Sequence, residues 1–242
     1  MSWRLVDSDL LEPARSAAID EAILLARNEG AVPDTLHLYR RAGPTISLGH
    51  FERIGESVDI EAAERMGVSI VRRMSGGSAI YTDRDQLIYT VAVGKGSMPE
   101  SPPDTFRILC QGVIEALDML GVRAEFKPVN DVLVGGRKIS GSAQVRRREA
   151  ILQHGTLLVR TDYERMFSVL RSSKRSREGL TSLAEVMAEV PPMAAIRKAL
   201  TRGFEKALEV EIIEGRLTER ERARADDLVR TRYGLREHTY LY

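Results

Sequence analysis

An α+β fold built on a mixed β-sheet is what this sequence predicts, from three observations. Strand-like segments cluster between residues 35 and 159, helix-period segments stand at both ends, and no internal repeat or low-complexity stretch interrupts them. At 242 residues the chain is long enough for one large core, or for a main domain with a small appendage. Its 43% apolar and 29% charged content is that of an ordinary globular protein, so order is expected throughout. A formal net charge of +1 gives no field that would steer the whole molecule to nucleic acid or to an anionic membrane, and neither is expected as a partner.

Taken in order, WRLVD reads as a short strand. PARSAAIDEAILLARNEG reads as a helix, with Pro13 near its start, Ala18, Ile19, Ala22, Ile23 and Ala26 at helical spacing, and Gly30 as its stop. TLHLYRR and PTISLGHF alternate as strands around an Ala-Gly-Pro turn, which predicts a hairpin. VDIEAAERMGV reads as a helix, SIVRRMS as a strand entering a glycine turn, and QLIYTVAV as another strand. Residues 94–103 are Gly/Ser/Pro-rich and read as a surface loop. DTFRILCQGVIEALDMLG places Phe106, Leu109, Cys110, Val113, Leu117 and Leu120 on one helical face, with Asp104 as N-cap and Gly121 as stop. AEFKP, NDVLVGGRKISGSAQVRR and AILQHGTLLVR follow as strands and turns. From Asp162 onward the chain reads as mainly helical, with one short strand, EVEII.

Cys110 is the only cysteine, so the chain forms no internal disulfide and no Cys-rich zinc site. Its place in an apolar helical stripe predicts a buried, unreactive thiol. The N-terminus has early charges and a proline where a signal peptide needs an apolar run, and no stretch approaches the roughly 18 apolar residues of a membrane span. A cytoplasmic location is the expectation.

Three stretches carry possible chemistry. In VRRMSGGSAIYTD, Arg72 and Arg73 precede a Ser-Gly-Gly turn, pairing guanidinium forks with backbone that a ligand can approach closely, which suits an anionic small molecule. In NDVLVGGRKISGSAQ, Lys138 follows the Gly135-Gly136 turn and precedes Gly141 by three residues. That pattern fits either a solvated lysine or an ammonium aimed into a site floored by bare backbone. In QHGTLLV, His154 fits a structural or a chemical role. Asn130 and Asp131, and likewise Asp83, read either as turn residues or as ligands for magnesium or a ribose hydroxyl. No P-loop, nucleophile elbow or H-E-x-x-H helix is present.

The order RRMSGGSAIYTD, NDV, GRKISGSAQ, HGTLLV resembles the lipoate–protein ligase family, whose catalytic fold is shared with biotin protein ligases and octanoyltransferases. The resemblance covers residues 1–185, including AAIDEAIL and LTSLAEV, and implies a mixed central sheet flanked by helices with the ligand in a cleft. Residues 186–242 then form a helical extension of the same domain, without the accessory domain of about a hundred residues carried by many bacterial ligases. The implied activity is ATP- and magnesium-dependent activation of lipoate to lipoyl-adenylate, followed by transfer to a lysine of a lipoyl-carrier domain, with a separate accessory subunit as a further partner. No tightly bound cofactor is expected.

By the same resemblance, Lys138 is the catalytic cation, offsetting the repulsion between carboxylate and phosphate. Arg72, Ser75, Gly76, Gly77, Gly141, Ser142, His154 and Gly155 contact the substrate. Arg73, Ala79, Ile80, Tyr81, Asp83, Asn130 and Asp131 contact the nucleotide together with Lys138, and Asp131 holds magnesium. Ser78 and Thr82 depart from the family pattern, which has glycine and histidine there.

The alternatives are an octanoyltransferase and a non-catalytic carrier-binding module. The octanoyltransferase reading needs an accessible thiolate, and the windows FKPVNDV and RREAILQ, where such relatives place it, hold no cysteine. The basic run QVRRRE reads as a solvated loop, or as a docking site in which Arg146–Arg148 meet an acidic carrier domain.

Overall fold

The alternation of WRLVD extends farther than the sequence predicts. In the computed structural model, which describes residues 2–171 and 177–242, strand β1 runs Ser2–Leu11 and ends where Pro13 opens α1 (Pro13–Asn28). β2 (Thr35–Arg41) and β3 (Thr45–Leu48) follow, but the hairpin expected between them does not form. β2 is bonded along both edges, parallel to β1 and antiparallel to β6 (Leu87–Gly94), so it has no free edge for β3. β3 instead begins a second sheet, pairing parallel with β4 (Ser69–Arg72) and antiparallel with β5 (Ile80–Thr82).

Between β3 and β4 lie two short helices, α2 (Ile54–Ser57) and α3 (Ile60–Arg65); Asp59 caps α3 by accepting from the Ala62 N–H. α4 (Pro102–Met119) begins earlier than expected. Ser101, not Asp104, is its cap: the Ser101 hydroxyl accepts from the Asp104 N–H, and Pro102 occupies the first turn where its missing N–H costs nothing.

The remaining strands are β7 (Glu125–Lys127), β8 (Asp131–Val134), β9 (Arg137–Arg146) and β10 (Ala150–Leu157). Then come α5 (Tyr163–Val169), α6 (Leu183–Val186), α7 (Met193–Leu208), β11 (Glu211–Glu214), α8 (Glu219–Leu228) and α9 (Arg236–Thr239). Among the described residues the large sheet has eight strands in the order β11-β1-β2-β6-β10-β9-β8-β7 and the small one has three, β4-β3-β5. The fold is thus the α+β, mixed-sheet architecture expected.

One face of the large sheet carries the main core. Leu36, Leu38, Tyr89 and Val91 pack there against Leu109, Val113 and Leu117 of α4 and Leu200 and Phe204 of α7. α4 and α7 meet backbone to backbone: a Cβ placed on Gly203 would lie 2.3 Å from the Gly112 carbonyl oxygen. The other face is covered by α1, whose Ala18, Ile19, Ala22 and Ile23 pack with Ala92, Val71 and Ala225. α1 also carries Asp20 and Glu21, both buried. Arg146 is not free for a partner, because it donates to the carbonyls of Pro99 (3.1 Å) and Glu100 (3.0 Å), tying β9 to the loop before α4. Among the described residues no helix is long and apolar enough to cross a membrane.

Candidate functional site

A cavity of about 540 Å³ lies between the large sheet, the small sheet and α1. Its floor follows from strand register. Gly141 on β9 pairs with Thr156 on β10, Thr156 with Ile88 on β6, and Ile88 with Tyr39 on β2, and all four line the cavity. Cross-strand partners point to the same face, so these residues form one row running across the strands. A second row, Ala143, His154, Thr90 and His37, lies two residues along.

At the β9 end stands Lys138, its Nζ 2.5 Å from Asp131 Oδ1, with about 30% of the lysine side chain exposed. The three-residue spacing to Gly141 has a steric cause. A Cβ on Gly141 would lie 2.3 Å from Lys138 Nζ, so only glycine lets the ammonium curl back over the floor. Asn130 is fixed beside it, donating through its side chain to the Ser142 carbonyl while its own carbonyl accepts from the Ser142 N–H at 3.0 Å. The expected residues Ser142 and Gly155 also line this region. Asp131, the carboxylate expected to hold magnesium, lines the cavity and is ion-paired to Lys138.

The two neighbouring arginines of the first motif point to opposite sides of their strand. Arg73 lines the cavity and braces its rim, donating to the carbonyls of Ser47 (2.6 Å), Gly76 (2.8 Å) and Ser78 (3.0 Å). Arg72, expected to contact substrate, is instead fully buried away from the cavity. Its guanidinium donates to the carbonyls of Gly49, His50, Glu52, His238 and Thr239, so it is a structural tie. Gly77, with φ +92°, completes the turn and lines the cavity with Ile80 and Tyr81. Ser75 and Ala79 are buried just beneath the wall, and Gly76 is also outside it. Asp83 lies apart from the cavity, its carboxyl raised above the ordinary range by burial.

His154 faces the cavity and is held from behind by a residue that sequence reasoning missed. Its Nδ1 lies 3.3 Å from Asp20 Oδ2 of α1, and the same carboxylate meets His37 Nδ1 at 3.0 Å and the Tyr39 hydroxyl at 3.1 Å. Burial alone would raise the Asp20 pKa, but the hydrogen bonds from His154 and His37 carry it well below the ordinary carboxylate value. The available signal was an acid pair, Asp20-Glu21, set among the apolar positions of the α1 stripe. Cys110 is fully buried behind Ser142, 3.7 Å from its Oγ, and burial pushes its thiol up to about 11.

Comparison with known proteins places this geometry. The chain is 34% identical to the octanoyltransferase LipM of Kyrpidia tusciae, over 94% of its own length and 95% of that protein. Among solved structures, lipoate-protein ligase A bound with ATP superposes with a TM-score of 0.91 at 28% identity, each chain wholly covered. The bipartite lipoate protein ligase of Thermoplasma acidophilum superposes with a TM-score of 0.89 at 29% identity, over 99% of this chain and 96% of that one. The expected function is corrected by these relatives. Motif order pointed to an ATP-dependent ligase and the cysteine-free windows argued against transfer, yet relatives that match along nearly the whole chain, those of Geobacillus kaustophilus and Kyrpidia tusciae among them, are octanoyltransferases. ATP, magnesium and an acyl-adenylate were expected only through the ligase reading. The protein is an enzyme of the lipoate ligase and transferase group, and its match over residues 12–205 shows that it belongs to the lipoyl protein ligase A/B catalytic-domain family.

Proposed function

We propose that this protein transfers an octanoyl-class acyl group from a carrier-protein thioester to a lysine of a lipoyl-carrier domain. One observation carries the reading: the Lys138 ammonium is fixed beside Gly141 at one end of a trough whose walls include Ile80, Ile88, Leu158 and Met166. An acyl chain buries its methylenes along such a trough, while negative charge building on a thioester carbonyl is stabilised by the cation at its end. The kinship with octanoyltransferases supports the acyl donor, and the likeness to a ligase described with its E2 lipoyl domain supports the acceptor.

Residues 186–242 belong to the same catalytic unit in this reading. Supporting this, β11 extends the large sheet beside β1, and α7 packs along α4.

The test is intact mass of a purified lipoyl-carrier domain after incubation with the protein and octanoyl-acyl carrier protein, without ATP. A gain of one octanoyl group that is lost with Lys138→Met is the expected result. No gain from the thioester donor would overturn the reading.

A further inference from the structure

Acyl transfer between a thioester and an amine commonly runs through an enzyme nucleophile, and the one thiol of this chain is sealed beneath the cavity floor. A different nucleophile is in place. Ser75 Oγ lies 2.6 Å from His154 Nε2, and His154 Nδ1 lies 3.3 Å from Asp20 Oδ2. With Asp20 ionised and accepting from the Nδ1–H, His154 Nε2 is left as an acceptor and the Ser75 hydroxyl donates to it. Nucleophile, base and orienting carboxylate thus follow one another in hydrogen-bonded order.

Two further features suit the hydroxyl to attack. Ser75 opens the Ser-Gly-Gly turn, and the N–H groups of Gly76 and Gly77 donate to no acceptor among the described residues. Free amides beside a nucleophile are donors for an oxyanion. The Arg73 Nε–H also donates to Ser75 Oγ at 3.0 Å, which favours negative charge on that oxygen. Asp20 is 1% exposed and held by three donors, so it orients His154 without itself changing protonation.

We propose that Ser75 carries the acyl group, taking it from the thioester as an oxygen ester and passing it to the carrier lysine; this rests on the transfer reading above. In the first half, Ser75 Oγ attacks the thioester carbonyl and gives its proton to His154 Nε2. The C–S bond breaks, and the leaving thiolate takes that proton. In the second half, the lysine amine attacks the ester carbonyl and loses a proton to His154. The C–O bond breaks, and Ser75 recovers the proton as the amide forms. The Lys138 ammonium reaches over Gly141, whose floor row lies roughly 7 Å along the strands from the His154 row, and adds positive charge to the site in both halves. Ser75 is covered by Arg73 and His154, so its approach to a carbonyl needs a small shift of the turn. The turn has room for one: a Cβ on Gly76 would meet no heavy atom within 4 Å.

The experiment is incubation of the whole protein with octanoyl-acyl carrier protein in the absence of acceptor, followed by intact mass and peptide mapping. The expected adduct maps to Ser75, resists neutral hydroxylamine as an oxygen ester does, persists in Cys110→Ser and is absent from Ser75→Ala. Transfer to the carrier domain should fall on the order of a thousand-fold in Ser75→Ala. Should Ser75→Ala fail to fold, Ser75→Cys serves, and its adduct should become hydroxylamine-labile. An adduct on Cys110, or near wild-type transfer by Ser75→Ala, overturns the proposal while leaving the transferase reading intact. A wild-type protein that modifies no carrier at all overturns both.

Discussion

The guanidinium of Arg72 donates from Nη2 to the carbonyl of Thr239 at 2.8 Å, joining β4 to a helix 167 residues away in sequence. Because Nη1 of the same side chain holds the carbonyls of Gly49, His50 and Glu52, one residue fixes both the loop after β3 and the C-terminal helix. Replacing it with Met leaves the buried carbonyls of Gly49 and Thr239 without this donor, each costing about 1–3 kcal/mol, and strips three part-buried ones as well. Arg72→Met is therefore expected to lose roughly 3 kcal/mol or more, a fall in Tm of about 6–12 °C by calorimetry. A Tm within 2 °C of wild type would show that the tie is dispensable.

Gly203→Ala tests the seam between α4 and α7. The new methyl would meet backbone on both sides, the Gly112 carbonyl at 2.3 Å and the Ala116 nitrogen at 2.6 Å, so the helices must separate. Overpacking of this kind costs about 1–3 kcal/mol, to be read from the denaturant midpoint. Since the seam lies on the sheet face opposite the cavity, the folded fraction should keep its activity.

Gly141→Ala has the reverse signature. Its methyl displaces the flexible end of Lys138 and not backbone, so stability should hold while the ammonium moves off the floor. Loss of one preorganised electrostatic contact lowers kcat by roughly a hundred-fold. Equal losses in Tm and kcat would argue that Gly141 is structural only.

Acid titration should single out Asp20. Its folded pKa lies below the ordinary 3.8, so its contribution to stability is present above about pH 4 and is lost as pH falls through and below that value. In Asp20→Asn the unfolding free energy should be lower at neutral pH and decline less steeply below pH 4. Parallel curves for the two proteins would remove Asp20 as a source of the acid sensitivity.

Cys110 should resist alkylation. A thiol raised from 9.0 to about 11 has roughly a hundred-fold less thiolate at neutral pH, and burial slows access further. Iodoacetamide labelling of the native protein should run more than a hundred-fold slower than of the denatured chain. Comparable rates would mean that the helix opens easily.

The sequence exposed much of this architecture because local signals and packing agreed: Pro13 and Gly30 bound α1, and the Leu109 to Leu117 stripe lies against the sheet. Where it misled, the deciding facts were non-local. The alternation and turn around Ala-Gly-Pro look like a hairpin, and only the pairing of β2 with β1 and β6 denies β3 that edge. Arg72 and Arg73 are indistinguishable as letters, but successive residues of an extended chain face opposite ways, so one reaches the cavity and the other its support. Lys138, Gly141, Asn130 and His154 line the cavity, and it was the family resemblance, not their spacing alone, that singled them out. Asp20 was not legible, because its partners His37, Tyr39 and His154 come from two other strands. The ligase expectation is overturned by relatives named octanoyltransferases, which motif order and two cysteine-free windows do not reveal.

The row Gly141, Thr156, Ile88, Tyr39 turns the sheet into a ruler. Strands are spaced by about 4.8 Å, a distance covered by roughly four carbons of an extended acyl chain. Eight carbons starting above β10 therefore end over β2, where Tyr39 stands. In the proposed transfer reaction, the longest accepted chain is set by how many strands the trough crosses before a bulky side chain closes it, so length preference can drift by changes on β2 while the reacting end, two strands away over β10, stays untouched.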